Sequence, residues 1–122
     1  MIQIRPEQQA AFSAEAQRGF EARAAAFLRD EFPEKWEAAS DLVLAAFIRD
    51  SQRRAKPFGL TTEQAVVSVA CIRCLAGDDW SGDPWTWLNG MLGDARVDPN
   101  ERAKMAAHRA EQVADSNRPE EG

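Results

Sequence analysis

Cys71-Ile72-Arg73-Cys74, the lone His108 and the aspartates Asp78, Asp79 and Asp83 are the side chains whose types and spacing could do chemistry. A CxxC pair suits thiol exchange or metal binding. A structural zinc takes four Cys or His ligands, and the chain offers only two cysteines and one histidine. Reactive thiol pairs open a helix, where the dipole lowers the thiol pKa; this pair falls in the C-terminal half of a predicted helix. It reads as two small buried hydrophobes, three residues apart on one face. His108 has no nearby Cys, Ser or second His for a relay and reads as a surface or boundary residue. The aspartates lack the alternating oxygen-ligand loop with a closing glutamate that a calcium-binding hand needs, and read as caps and turn formers. With no phosphate-cradling glycine loop and no nucleophile motif, the expectation is a non-enzyme with no cofactor and no metal.

The stretch from Asp78 to Trp87 is more informative, because it holds three of the four tryptophans. Each Trp covers roughly 150–250 Å², so three exposed together would exceed the apolar patch a soluble monomer usually shows. They are core, interface, or divided between the two. With a helix predicted from Pro84, about 100° of turn per residue places Trp85, Leu88 and Leu92 on one face and Trp87 with Met91 on another. Trp85 then reads as core. Trp80, Trp87 and Met91 are the portion that could face a partner, since aromatics dominate interface hot spots. Asp78 and Asp79 give that portion an acidic flank. Arg49, Arg53, Arg54 and Lys56 form the one basic cluster, which reads as a solvated face near a helix C-terminus or as a docking patch for an acidic partner. The partner-binding candidates are therefore Trp80, Trp87, Met91, Asp78, Asp79, Arg49, Arg53 and Arg54.

These residues need elements to hold them, and alanine-rich, charge-interspersed segments cut by Pro and Gly predict an all-α chain. Pro6 and Glu7 open a long helix to about residue 32, with Phe12, Ala16, Phe20, Ala24, Phe27 and Leu28 at helical spacing. Gly19 weakens it and leaves room for another helix to approach. Pro33 starts a short turn near 33–38 carrying Trp36. Ser40 caps a helix over 40–56, with Leu44, Phe47, Ile48, Ser51 and Ala55 as its stripe. Thr61 and Gln64 form a capping box, with Leu60 as staple, for a helix over 62–76 stopped by Gly77. Its centre, Val66 to Ile72, has strand propensity, but both ends carry helix signals and no second strand is visible to pair with it. Helices over 84–92 and 99–115 follow, each opened by an Asp-Pro pair. The last has a thin apolar stripe, mainly Met105, Ala106, Ala110 and Val113, and is expected to fray. The expectation is a single domain over 1–116, a bundle of about five helices, with a disordered tail at 117–122.

Composition narrows the function classes. A net charge of −5 argues against sequence-independent nucleic-acid binding, which needs clustered cations. No basic segment leads into an apolar run, and no stretch approaches a membrane span. The expected location is cytoplasmic, with a protein partner, no nucleic acid and no membrane; the oligomeric state stays open.

The order of the pieces resembles a family of small helical proteins from bacterial type VI secretion gene clusters. The resemblance is carried by Ile4-Arg5-Pro6-Glu7-Gln8 with Ala11-Phe12, Phe20-Glu21-Ala22-Arg23, and Phe27-Leu28-Arg29-Asp30-Glu31-Phe32-Pro33. It continues through Phe47-Ile48-Arg49, Arg54-Ala55, Phe58-Gly59-Leu60 with Glu63, and Asp79-Trp80-Ser81-Gly82-Asp83-Pro84 followed by Trp87 and Met91-Leu92. Members have undefined activity and are encoded beside spike proteins, effector adaptors and toxins. The resemblance implies an accessory that chaperones or loads a secreted effector, and it carries over no catalytic residue. The sequence departs from the pattern at Cys71 to Cys74 and at Arg53-Arg54-Ala55-Lys56-Pro57. A second reading is an immunity protein, whose acidity would suit a basic toxin. A third, from another class, is a thiol redox protein using Cys71 and Cys74.

Overall fold

Prolines and capping side chains divide the chain into helices, and the computed structural model, which describes residues 6–117 and side chains from residue 14 onward, has no strand among the described residues. The elements are α1 (Pro6–Glu31), α2 (Pro33–Trp36), α3 (Asp41–Ala55), a 3-10 turn (Lys56–Phe58), α4 (Glu63–Ala76), α5 (Leu88–Leu92) and α6 (Pro99–Ser116). The chain is all-α, as its sequence predicts. Two compact units divide within α3, at Ala45 and Ala46. Of the tail expected at 117–122, Asn117 closes α6 with its N–H on the Val113 carbonyl, and residues 118–122, like the side chain of Phe12, lie outside the described residues.

In the first unit, α1 buries Phe20, Ala24 and Leu28, four residues apart and so on one helix face. Arg29 fastens the end of α1 to the start of α3. Its Nη2 donates to the Ala39 carbonyl at 3.1 Å and to Asp41 Oδ1 at 2.8 Å, and its Nε donates to the Trp36 carbonyl at 3.3 Å. Ser40 is the cap the sequence predicts, its Oγ accepting from the Val43 N–H at 3.2 Å. Among the described residues, a side chain at Gly19 would meet only Arg23 Nη1 of α1 itself, at 3.3 Å, rather than the second helix the sequence leaves room for.

The second unit is built on α4 packed against α6, with α5 also against α6. Helix α4 buries Ala65, Val66, Val69, Ala70 and Ile72, which settles the strand-prone centre as core helix. Its cap is Thr62, one residue later than expected: Thr62 Oγ1 accepts from the Ala65 N–H at 3.1 Å and also hydrogen-bonds Asn100 at the start of α6. Starting the helix at Glu63 uses that hydroxyl twice and lets Leu60 sink into the core at 1% exposure. Gly59 and Gly77 both take φ of 74°, the left-handed region where a side chain is strained. Gly59 turns the chain out of the 3-10 segment, and Gly77 ends α4 with its N–H on the Arg73 carbonyl.

Helix α6 begins as expected, with Asp98 accepting from the N–H groups of Asn100 and Glu101. Its buried stripe is Arg102, Ala103, Ala106 and Ala110, which keeps the expected Ala106 and Ala110 but not Met105 or Val113. Three alanines in register let the α6 backbone approach its neighbours closely, and Met105 is left 51% exposed.

Helix α5 is shorter than predicted and does not begin at Pro84. The Trp85 and Leu88 N–H groups close three-residue turns onto Gly82 and Trp85 carbonyls, at 3.0 and 3.1 Å. The Pro84 carbonyl that a longer helix would give to Leu88 is taken by the Trp87 indole N–H at 2.7 Å. Leu88 and Leu92 are fully buried, while Trp85 lies outside the helix, half-buried, with its ring 6.3 Å from that of Trp87.

Candidate functional site

The acidic aromatic stretch separates into a locked half and an open half. The locked half is organised by Arg73 of α4, 7% exposed. Its Nε and Nη2 donate to Asp78 Oδ1 and Oδ2 at 2.7 and 3.1 Å, the two-pronged geometry that a guanidinium and a carboxylate share. Its Nη1 donates to Ser51 Oγ at 2.8 Å and to the Phe47 carbonyl at 3.0 Å, while Nη2 lies 2.9 Å from Asp50 Oδ2. The guanidinium also sits 4.1 Å from the centre of the Phe47 ring. Ser51, a polar residue in the predicted apolar stripe of α3, is buried because it meets this arginine.

Arg54 extends the cluster. Its Nη1 pairs with Asp78 Oδ1 at 2.8 Å, its Nη2 donates to the Asp78 carbonyl at 2.7 Å, and its guanidinium lies 4.7 Å from the centre of the Trp80 ring. Trp80 is 5% exposed, and its indole N–H donates to the Gly77 carbonyl at 2.7 Å. Hydrogen bonds from Arg73, helped by the charge of Arg54, hold the Asp78 carboxyl below its ordinary value against the opposing effect of partial burial. Asp79 is held low by Ser81, whose hydroxyl and N–H both donate to its Oδ1.

Three of the sequence candidates, Trp80, Asp78 and Arg54, thus come together in contacts within the chain, with Asp78 largely exposed and Trp80 core rather than a presented anchor. Asp79 closes an exposed turn. Arg53 is exposed and pairs with Asp50 of its own helix at 3.0 Å, and Arg49 is exposed on α3. Cys71 is half-buried and Cys74 buried, both on the C-terminal half of α4, and His108 is exposed on α6.

The open half is a groove of about 320 Å³ beside α5 and α6. Trp87, Met91, Val97 and Met105 supply its apolar lining, and Asp94, Arg102 and Arg109 its charges. Trp87 and Met91 do share it, as their spacing predicts. The Arg109 guanidinium lies 4.7 Å from the centre of the Trp87 ring. Arg96 grips Asp94 through Nε and Nη2 at 2.9 and 3.0 Å, which pulls the Asp94 carboxyl down to about 2. Arg102 is 7% exposed; its Nη1 donates to the carbonyls of Leu92 at 2.8 Å and Phe58 at 3.2 Å, and its buried Nε has no hydrogen-bond partner among the described residues. Sequence reasoning missed Arg102, Met105 and Arg109. Arg102 stands four residues before Ala106 and eight before Ala110, so the alanine stripe carried a signal that it points inward.

No family model matches the chain, and no curated protein or solved structure does. Among the described residues no single helix is long and apolar enough to cross a membrane.

Proposed function

We propose that the protein is a non-enzymatic helical binding protein that holds an effector of a type VI secretion module, or that effector's adaptor, in the cytoplasm before export. The observation that carries the binding role is the groove at Trp87, Met91 and Met105, an apolar surface kept open on a unit that buries Trp80. Interface hot spots favour such an arrangement, with an aromatic anchor and an arginine beside flexible methionines. The effector context rests on the resemblance in the sequence. The net charge of −5 favours a second reading, an immunity protein against a basic toxin.

The test is a pull-down with the proteins encoded on either side, using the wild type and Trp87→Ala, together with rescue of cells expressing the neighbouring toxin. Trp87→Ala is expected to weaken partner binding by more than about 1 kcal/mol while the fold is kept. An accessory leaves toxin activity intact yet is needed for effector stability or secretion. Rescue of the cells would move the assignment to immunity, and unchanged binding by Trp87→Ala would remove the groove from the interface.

A further inference from the structure

We infer that the groove beside α5 and α6 recognises a segment of a protein partner in which an aspartate or glutamate side chain neighbours an aliphatic or aromatic one. The inference rests on reading this groove as the binding face, and names the chemistry it selects. Arg102 and Arg109 take the carboxylate, and Trp87, Met91 and Met105 take the apolar side chain.

The first support is the state of Arg102. A buried polar donor left without an acceptor costs about 1–3 kcal/mol, and Arg102 Nε is such a donor in the wall of an open groove. Its two hydrogen bonds go to neutral carbonyls from the same nitrogen, so no carboxylate answers its charge through a hydrogen bond. Arg73, equally buried, has two carboxylates and a hydroxyl. A carboxylate is the acceptor that satisfies both the charge and the geometry of a guanidinium.

The second support is the local charge. The groove lining carries two arginines and one aspartate, and the Asp94 oxygens are already occupied by Arg96 and by the Arg96 N–H. Arg109 rests on an aromatic ring, with no ion pair among the described residues. The groove is therefore a local cationic site on a chain of net charge −5. The surrounding field opposes an acidic protein as a whole, so selection falls on a single carboxylate held at short range.

The third support is shape. A pocket that binds a free small molecule encloses most of it; this groove is open, and an occupant gains full burial only when the surface that carries it closes over the site. Arg102 Nε is buried, so an entering side chain reaches it only as groove-lining chains shift; Met91 and Met105 line the same groove, and thioether chains repack at low cost.

The test uses the full chain and the probe acetyl-Ala-Leu-Glu-Ala-amide, followed by the arginine Nε–H and methionine methyl signals in NMR spectra. The expected result is that the Arg102 Nε–H and the Met91 and Met105 methyls move together, with the glutamine version of the peptide binding at least about tenfold more weakly. Arg109→Gln, at an exposed position that the fold tolerates, is expected to narrow that difference. Equal affinity for the two peptides, tighter binding of a lysine version, or no groove shift at about 10 mM peptide would overturn the inference. So would tighter binding of acetyl-Ala-Leu with a free C-terminal carboxylate, which assigns the site to chain ends, or self-association lost in Trp87→Ala, which assigns it to a second copy. If the peptides fail to discriminate while Trp87→Ala still releases the protein partner, the binding face stands and only its chemistry falls. Discrimination by the peptides with no effect of Trp87→Ala on the partner would do the reverse.

Discussion

Arg73 and Arg102 are equally buried arginines in one compact unit, and they differ in what answers them. Arg73 meets Asp78, Asp50, Ser51, the Phe47 carbonyl and the Phe47 ring. Arg102 meets two carbonyls through one nitrogen and leaves Nε without a partner. Both pay the desolvation of a buried charge; the first is answered by hydrogen-bonded carboxylates inside the chain, the second only by two carbonyls and the charge of Asp94. Burial alone therefore does not tell a structural arginine from a binding one; the inventory of acceptors around it does.

The comparison can be broken most severely at the tryptophans that accompany each arginine. Trp80→Ala removes a core side chain beside Arg54 and is expected to cost about 3–5 kcal/mol in urea unfolding, against under about 1 kcal/mol for Trp87→Ala in the open groove. Similar losses for the two would dissolve the division into a locked and an open half. At the arginines themselves, Arg73→Met is expected to cost about 2–4 kcal/mol; Asp78 is largely exposed and returns to water, which keeps the loss below that of a fully buried pair. Arg102→Met should cost only about 1 kcal/mol, because the lost carbonyl bonds are partly offset by removal of an unpartnered donor. An equal cost at both would mean that Arg102 is as fully satisfied as Arg73.

Acid sharpens the contrast further. The Asp78 carboxyl titrates below its ordinary value of 3.8 in the folded chain, so its contribution is complete above that value and is lost as pH falls through the lower folded one. The gap in urea midpoint between wild type and Asp78→Asn should be constant at neutral pH and close as pH drops below that ordinary value. A gap that persists at the acid end would show that Asp78 acts without its charge. Small effects are expected at the stacked arginines. Arg54→Gln, which loses an ion pair and the Trp80 ring, should lower stability by about 1 kcal/mol, and Arg109→Gln, stacked on Trp87 in solvent, by about 0.5 kcal/mol or less, both by thermal denaturation.

The helices were legible wherever a single residue type dictates backbone geometry. Pro33, Ser40, Gly77 and the Asp98-Pro99 pair all mark ends that the structure keeps. The misreadings arise where a side-chain hydrogen bond resets the start of a helix. Trp87 takes the Pro84 carbonyl and shortens α5, and Asn100 engages the hydroxyl that makes Thr62 rather than Thr61 the cap. The candidate site was half legible for a related reason. The spacing of Trp87 and Met91 is local and survives in the short helix, whereas the burial of Trp80 and the roles of Arg102 and Arg109 depend on residues far along the chain, such as Phe58 for Arg102. No periodicity along one segment encodes those encounters.

The Trp85 and Trp87 rings, 6.3 Å apart and tilted by 43°, lie close enough for their electronic transitions to couple. The second ring borders the groove and the first does not. Circular dichroism in the indole bands should therefore carry a paired signal that depends on the angle between them, and an occupant that turns Trp87 would change its sign or size with no dye attached. Trp80, buried elsewhere in the same unit, would supply an emission that stays constant until the chain unfolds.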